Sequence, residues 1–383
     1  PRYIDSQEPE DIQDIAGHLQ GGVPAADVDA LQKYWDVCPN LKADLFALSG
    51  ATSATQTKRE GYFNLKVDKA QLKQTIYSHP EFAAFIAGMN SHFETWKMKS
   101  AASLKRLEVG SHPKDVISAL AEDLLKHYTD KPLIDRYDIY QHLMDYWRQT
   151  MQDDCYLIAA DGWKAETTRI VETDKKGKEK DKGWTCDLIP KPLIVARYYA
   201  KEQGEVDALT AELEGVTARL AELEEEHGGE EGAFYELDKV NKANVSARLK
   251  ELTNPQLPMN GGQSSVGSEE LAILKEWLKL SNEEAEFKKK LKDAEADLDA
   301  KAYAHYPKLP EAEIKSLVVD DKWLTTLDAA IHGEMDRISQ NLTQRVKELS
   351  ERYETPLPQM TDCVNELEEK VNHHLERMGF AWK

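Results

Sequence analysis

The stretch VDALTAELEGVTARLAEL, residues 206–223, decides how the second half of the chain folds. Its apolar residues recur at alternating intervals of three and four, which is the spacing of a coiled-coil seam. A helix with this pattern has one apolar edge, which must be buried against another helix. The pair Gly228-Gly229 ends the predicted helix. The seam consists of Val206, Leu209, Leu213, Val216, Leu220 and Leu223.

Three further amphipathic helices are predicted downstream, with apolar seams over residues 273–298, 324–349 and 360–378. Breaks that contain proline separate them, so the helices are expected to fold back on one another as a bundle. The seams could form an internal core or a surface on which a partner docks, and both readings stay open. For docking, the last helix adds Val364, Leu367 and Val371 to the residues of the first seam.

Upstream of residue 193 the pattern is different. Residues 1–152 predict short helices with clear stops and with aromatic residues at helical spacing, which together form a helical lobe. Residues 153–192 contain three β-favouring segments, CYLIAADGW, ETTRIVET and GWTCDLI, which predict a small antiparallel β element with a charged hairpin. The predicted fold class is therefore mainly α: this helical lobe, the β element, and a coiled-coil-rich helical bundle over residues 193–383.

The composition of the chain limits which partners and which cellular compartment are expected. The 383 residues carry a formal net charge of −20, with a mean hydropathy of −0.62. A strongly acidic chain repels bare nucleic acid, so we expect DNA contact only within a complex.

No apolar run approaches a membrane span and no secretory signal begins the chain, which predicts a cytoplasmic protein without a membrane partner. The four cysteines form no paired motif and fit a reducing compartment. The first residue, Pro1, suggests a fragment or a processed product.

Sequence motifs of catalysis and cofactor binding do not occur. The Gly-rich phosphate loops GxGxxG and GxxxxGKS/T are not found, nor are GxSxG, HExxH and CxxC. The nearest match to the Asn-Pro-Pro-aromatic signature of base methylases is NPQL at residue 254, which lacks the second proline and the aromatic residue. No catalytic, cofactor-binding or metal-binding residue is therefore predicted from a motif.

One stretch nevertheless combines groups that bind metals or move protons: DIYQHLMD, residues 138–145. On a helix, Asp138, His142 and Asp145 project from one side. They could be part of a metal or acid–base site, or a polar face on which His142 pairs with a neighbouring carboxylate. The opposite side carries an apolar stripe, which predicts packing into the lobe. The stripe comprises Tyr137, Tyr140, Met144, Trp147 and Met151.

Two charged segments follow this helix. Asp153 and Asp154 are adjacent, so their side chains diverge, and one of them is expected to cap a strand or turn rather than form a carboxylate dyad. A lysine run at the hairpin tip could contact phosphates when a partner brings DNA near, or it could be a solvated turn. The run consists of Lys175, Lys176, Lys178, Lys180 and Lys182.

Five long segments of low degeneracy are spread from residue 132 to the C-terminus. They are PLIDRYDIYQHLMDYWRQTMQDDCYLIAADGWKA (132–165), DLIPKPLIVARYYAKEQ (187–203), LAELEEEHGGEEG (220–232), EIKSLVVDDKWL (313–324) and HHLERMGFAW (373–382). With PRYID at the start, these segments resemble the modification (M) subunit of type I restriction-modification enzymes. The lobe of residues 1–150 is larger than the shorter M subunits lead us to expect.

The resemblance implies that the full-length subunit is an S-adenosylmethionine-dependent DNA adenine-N6 methyltransferase. In the family, the cofactor loop and the Asn-Pro-Pro-aromatic motif precede a segment like PRYID. Since this chain has none of those residues, it is expected to be the C-terminal part of such a subunit, with no cofactor of its own and no activity alone. Two M subunits of the family flank one DNA-specificity (S) subunit, and C-terminal helices of M pack on the long helices of S. The restriction (R) subunit can be a further partner.

The function expected from the sequence is therefore assembly, in which this chain docks a methyltransferase onto the S subunit through its helical seams. Two alternatives from other classes stay open. One is a stand-alone coiled-coil scaffold or interaction protein that is unrelated to methylation. The other is an enzyme that uses Asp138 and His142.

Overall fold

The computed structural model of the chain describes residues 13–48, 60–173, 179–230, 232–253 and 266–378. These residues fold mainly into helices, with two small antiparallel sheets. The predicted fold class, mainly α with a small antiparallel element and long helices, is confirmed.

The helices, in chain order, are α1 (Ile15–Gln20), α2 (Ala25–Asp29), α3 (Gln32–Trp35), α4 (Pro39–Leu45), α5 (Leu72–Ser78), α6 (Pro80–Leu104), α7 (Pro113–His127), α8 (Arg136–Tyr146), α9 (Gln152–Asp161), α10 (Lys191–Tyr198), α11 (Ala200–Glu226), α12 (Lys242–Leu252), α13 (Val266–His305), α14 (Glu311–Lys315), α15 (Thr325–Arg352) and α16 (Leu357–Arg377). Wider π-helical turns cover Trp147–Met151 and Ser316–Leu324, and a 3₁₀ turn covers Tyr306–Lys308. The strands are β1 (Val23–Pro24), β2 (Phe46–Leu48), β3 (Tyr62–Leu65), β4 (Thr168–Thr173) and β5 (Glu179–Thr185).

The chain divides into two compact units. The first comprises residues up to Ala160 together with those from Trp323 onward, and the second comprises Asp161–Lys322. This division differs from the predicted organisation, whose borders lie at residues 152 and 192. The difference arises because α15, although late in the sequence, packs among the N-terminal helices α5, α6 and α8.

The first unit is built around α15. Apolar residues recur along this helix at intervals of three and four, and they are buried, as the seam predicted over residues 324–349 requires. Beside this helical core lies a three-stranded antiparallel sheet in the order β1-β3-β2, which was not predicted from the sequence. The buried apolar residues of α15 are Leu327, Ile331, Met335, Ile338, Leu342, Val346 and Leu349.

The second unit contains a long helical pair. Helix α11 packs along α13, and α12 also packs on α13. An apolar cluster lies at one end of the pair, where Trp277 Nε1 donates to Glu224 Oε1 at 2.9 Å. The cluster is formed by Leu220, Leu223, Ala233, Phe234, Val245, Leu274 and Trp277. Strands β4 and β5 pair as an antiparallel hairpin in this unit. Strand β4 lies within ETTRIVET, as predicted, but β5 covers Glu179–Thr185, so it includes only the start of GWTCDLI and takes in part of the predicted charged tip.

One predicted β segment is wrong. CYLIAADGW was expected to be a strand, but residues 152–161 form α9. Met151, Cys155 and Ile158 are buried at intervals of four and three, which is a helical period rather than the alternation of a strand. The β element is therefore confined to β4 and β5.

The apolar stripe predicted for α8 and the π-helical turn after it is correct only at its C-terminal end, where Trp147 and Met151 are buried. Tyr137 is 57% exposed, and Tyr140 and Met144 are only partly buried. Packing instead uses the Ile139 and Leu143 side, which continues into Trp147 and Met151 through the π-helical turn. The two tyrosines of the predicted stripe therefore lie outside the core, and the aliphatic residues beside them fill it.

Candidate functional site

The face that suggested chemistry on α8 is tied into ion pairs with α15. Arg337 donates from Nη2 to Asp138 Oδ2 at 2.7 Å. His142 Nε2 lies 3.8 Å from Oε2 of Glu334. Asp145 pairs separately with Arg148, one turn further along the chain. The three residues predicted to share a face therefore have different partners, and Asp145 does not join the other two.

Glu334 is the centre of this network. Its side chain is only 3% exposed, and Arg337 donates from Nε to its Oε2 at 2.8 Å and from Nη2 to its Oε1. A buried carboxylate requires such partners, because an unpaired charge in the interior is strongly destabilising. Asp138 and His142 thus extend a network that joins α8 to α15. His142 lies beside a carboxylate, as one of its two sequence interpretations has it.

The described residues offer few groups for metal binding or for thiol chemistry. Among the described residues, no group of three or more His, Cys, Asp or Glu side chains could hold a metal ion. Cys38, Cys155 and Cys186 are buried, whereas Cys363 is exposed. Burial raises the pKa of Cys38 to about 11 and that of Cys155 to about 12, so both thiols are protonated at neutral pH. A protonated thiol is neither a nucleophile nor a metal ligand.

The adjacent aspartates have structural positions. Asp153 and Asp154 both lie in the first turn of α9, so neither caps a strand or turn as expected, and Asp154 is 3% exposed. Its Oδ2 accepts a hydrogen bond from Nε1 of the fully buried Trp323 at 2.7 Å. This bond ties α9 to the segment that precedes α15.

The lysine run can be placed only in part. Lys175, Lys176 and Lys178 lie outside the described residues. Lys180 belongs to β5 and pairs in register with Glu172 of β4. The Nζ of Lys182 forms an ion pair with Glu172 at 2.9 Å, and both side chains are largely exposed. Contact of this hairpin with DNA remains a prediction.

The first seam faces another helix of the same chain. Val206, Leu220 and Leu223 of α11 are buried, and the other three seam residues, Leu209, Leu213 and Val216, are partly buried. Helix α13 packs along α11 and covers this edge. Binding of a further partner to this seam remains a prediction.

The last helix, α16, is different because its apolar face is exposed. None of its described residues is buried, although the apolar positions recur at intervals of three and four. Val364, Leu367 and Val371, the predicted docking residues, are 60%, 54% and 55% exposed. We call the exposed apolar side of α16 the α16 stripe. It consists of Leu357, Met360, Val364, Leu367, Val371 and Met378.

The start of α16 is anchored firmly. Tyr353, which is buried, lies at the corner between α15 and α16. Its hydroxyl donates to Asp27 Oδ2 at 3.1 Å and accepts a bond from the backbone N–H of Asp14 at 3.2 Å. Gly17 of α1 approaches this ring so closely that a Cβ would lie 2.8 Å from it. Because α1 and the corner are fixed to each other, α16 starts from a defined point of the first unit.

Apolar surface is also exposed next to that point. Helix α1 contacts α16. Ile15 and Leu19 of α1 are 75% and 45% exposed. The α16 stripe therefore has exposed apolar neighbours at its N-terminal end.

Sequence reasoning missed two polar features of the first unit. Glu334 and Arg337 were not singled out, although the position of Glu334 within the apolar seam of α15 is an available signal for a buried charge. The second feature is a stacked histidine pair, His92 on α6 and His127 on α7, with ring centroids 3.6 Å apart. Each ring donates from Nε2 to the backbone carbonyl of the other residue at 2.8 Å. We call these two residues the histidine pair.

Within the described ranges, none of the helices combines the length and the apolar character that crossing a membrane requires. A scan against protein-family models matches no family, and searches of curated proteins and of solved structures return no significant match.

Proposed function

We propose that this chain is the C-terminal assembly region of a type I restriction-modification M subunit, and that it docks the methyltransferase onto the DNA-specificity (S) subunit. In this proposal the chain works in the cytoplasm and contacts DNA only within the complex. The R subunit is a further partner of the assembled enzyme. S-adenosylmethionine belongs to the catalytic domain of the full-length subunit.

The α16 stripe is the observation that carries the proposal. Its six side chains, each about half exposed or more, present roughly 600 Å² of surface, which equals the largest apolar patches of typical monomers, and such patches are often functional. At about 25 cal/mol per Å², covering it is worth roughly 15 kcal/mol before the cost of association. An amphipathic helix with one apolar side fits against another helix or into a groove between helices.

The remaining features are compatible with an assembly role. The seam of α11 is covered by α13, which leaves the α16 stripe as the better candidate for a partner. The net charge of −20 suits a protein that leaves DNA reading to another subunit. The resemblance of five segments to M subunits supplies the identity of the partner.

The test is co-purification with an S subunit. Val364→Asp combined with Leu367→Asp places two charges in the α16 stripe, and we expect it to abolish or greatly weaken recovery of the complex. The matched control, Asn365→Asp combined with Asn372→Asp, adds the same charge on the exposed polar side of the helix and should co-purify normally. Equal recovery of both variants would sink the proposal that this face docks the partner.

A stand-alone scaffold is the second candidate, and the α11–α13 pair favours it, because that pair covers its own seam without a partner. The two functions separate in the same experiment. A scaffold unrelated to methylation would show no recovery with the S subunit in any form of the chain, including the unmodified one.

A further inference from the structure

The charges along α16 are distributed unevenly. Its first part, residues 357–369, carries four acidic residues and no basic one. Its last part, residues 370–377, carries Lys370, Arg377 and two histidines against a single acidic residue. The helix therefore has an acidic half and a basic half. The acidic residues of the first half are Asp362, Glu366, Glu368 and Glu369.

The apolar pattern fits a two-stranded coiled coil. With Leu357 at position a of the heptad, Val364 and Val371 also fall at a, and Met360 and Leu367 fall at d. A β-branched residue at a with Leu at d is typical of pairs of helices. Since a helix of 21 residues gains most of its stability from packing, this face needs a second helix.

We infer that a second copy of this chain covers the α16 stripe, with the two α16 helices paired antiparallel. This orientation places the acidic half of each helix against the basic half of the other. Parallel pairing would instead place the four carboxylates of one copy beside the same four carboxylates of the second copy. A two-fold axis near residues 365 and 366 sets Val364 opposite Leu367 of the second copy. The same register sets Leu357 opposite His374 of the second copy.

The surroundings of the helix agree with this arrangement. Antiparallel pairing brings Met378 of one copy to the N-terminal end of α16 in the other. That end lies next to α1, where Ile15 and Leu19 are exposed. Met378, which is 72% exposed, therefore gains apolar neighbours in the dimer.

The area predicts a reversible dimer. With roughly 600 Å² buried by each copy, the total of about 1,200 Å² is at the lower end of specific interfaces. Such a dimer dissociates on dilution, and a partner with a larger matching surface can displace it. Self-pairing would thus keep the apolar α16 stripe buried until the proposed partner binds. This last step rests on the proposed function, but the self-pairing itself does not.

The first experiment is sedimentation velocity of the purified chain alone over a dilution series. We expect dimers at high concentration and monomers on dilution. Val364→Asp combined with Leu367→Asp should weaken dimerisation by at least about a hundredfold, since each buried charge costs more than the roughly 1.4 kcal/mol of a tenfold change. The control variant Asn365→Asp combined with Asn372→Asp should dimerise as the unmodified chain does. Circular dichroism confirms that the variants remain folded.

The second experiment tests orientation by disulfide formation, in a Cys363→Ser background. Antiparallel pairing separates the two copies of residue 374 by roughly 25 Å along the helix axis, so His374→Cys alone should not cross-link. His374→Cys combined with Leu357→Cys should cross-link as a dimer. Cross-linking of the single variant would overturn the antiparallel arrangement.

The outcomes separate the two proposals. A chain that is monomeric at every concentration, or whose dimer is unaffected by charges in the α16 stripe, overturns the inference. If that monomeric chain still loses the S subunit when the stripe is charged, the proposed function stands without self-pairing. If the chain dimerises through the stripe but never binds an S subunit, the inference stands and the proposed function falls.

Discussion

Replacing Arg337 with methionine tests the role that the structure gives to Asp138 and His142. Methionine keeps an aliphatic stem but removes the guanidinium, so among the described residues His142, at 3.8 Å, is the remaining ion-pair neighbour of the buried Glu334 carboxylate. Removing one partner of a buried ion pair costs about 3–5 kcal/mol. The Arg337 side chain is 51% exposed, so water can enter and reduce the loss. We therefore expect the free energy of unfolding to fall by about 3 kcal/mol.

The assay is thermal unfolding combined with hydrogen exchange of peptides from α8 and α15. At about 2–4 °C per kcal/mol for a unit of this size, the midpoint of the first unit should fall by about 6–12 °C. Exchange should accelerate in α8 and α15, because the network joins these two helices. Adding Glu334→Gln to Arg337→Met removes the buried charge, and it should recover at least half of the loss.

A matched control lies on the same helix. Lys347 forms an exposed pair with Glu351 at 3.9 Å, and pairs of this kind contribute less than about 1 kcal/mol. Lys347→Met should therefore change the midpoint very little. If Arg337→Met is as stable as Lys347→Met, the network does not stabilise the fold, and a functional role for Asp138 and His142 regains support.

Three further outcomes are expected. Burial lowers the pKa of His92, so the folded state favours its neutral ring. The stability gained in this way is complete above the ordinary histidine pKa of about 6.5 and is lost as the pH falls below that value. Measuring the free energy of unfolding at decreasing pH should show this loss, and His92→Gln should make the pH dependence smaller. Leu223→Asp, which buries a charge in the apolar cluster of the helical pair, should abolish cooperative unfolding of the second unit by circular dichroism, whereas the exposed Ala221→Asp should not. In the native protein Cys363 should react with a thiol reagent at once, and Cys155 only after denaturant is added; early modification of Cys155 would contradict its burial.

The helical character of the chain could be predicted because the seams are long and regular. Periodicity over many residues identified α15 and α16 and the facing helices α11 and α13. The same method failed on short segments. CYLIAADGW contains β-favouring residues, but its buried positions follow a helical period that nine residues display only weakly.

The division into units could not be predicted from local pattern. The packing of α15 among α5, α6 and α8 joins residues far apart in the sequence, such as Arg337 and Asp138, 199 positions apart, and a seam does not specify which helix will cover it. For the same reason the seams of α11 and α16 were equally good candidates for a docking surface when judged from the sequence. Only the three-dimensional arrangement distinguishes Leu223, which is 2% exposed, from Val364, which is 60% exposed.

The way the first unit is assembled from both ends of the chain has a consequence for synthesis on the ribosome. Residues up to Ala160 emerge from the ribosome before Trp323, and their core stays incomplete until Trp323 and α15 follow. At about 5–20 residues per second, translation of the intervening segment takes roughly 10 to 30 s. During that interval the indole of Trp323 is not yet in place beside Asp154, and α15 does not yet cover the surfaces of α6 and α8 on which it later packs. The helices of Asp161–Lys322 can form in that time, so a late-arriving helix closes a lobe that began to fold first.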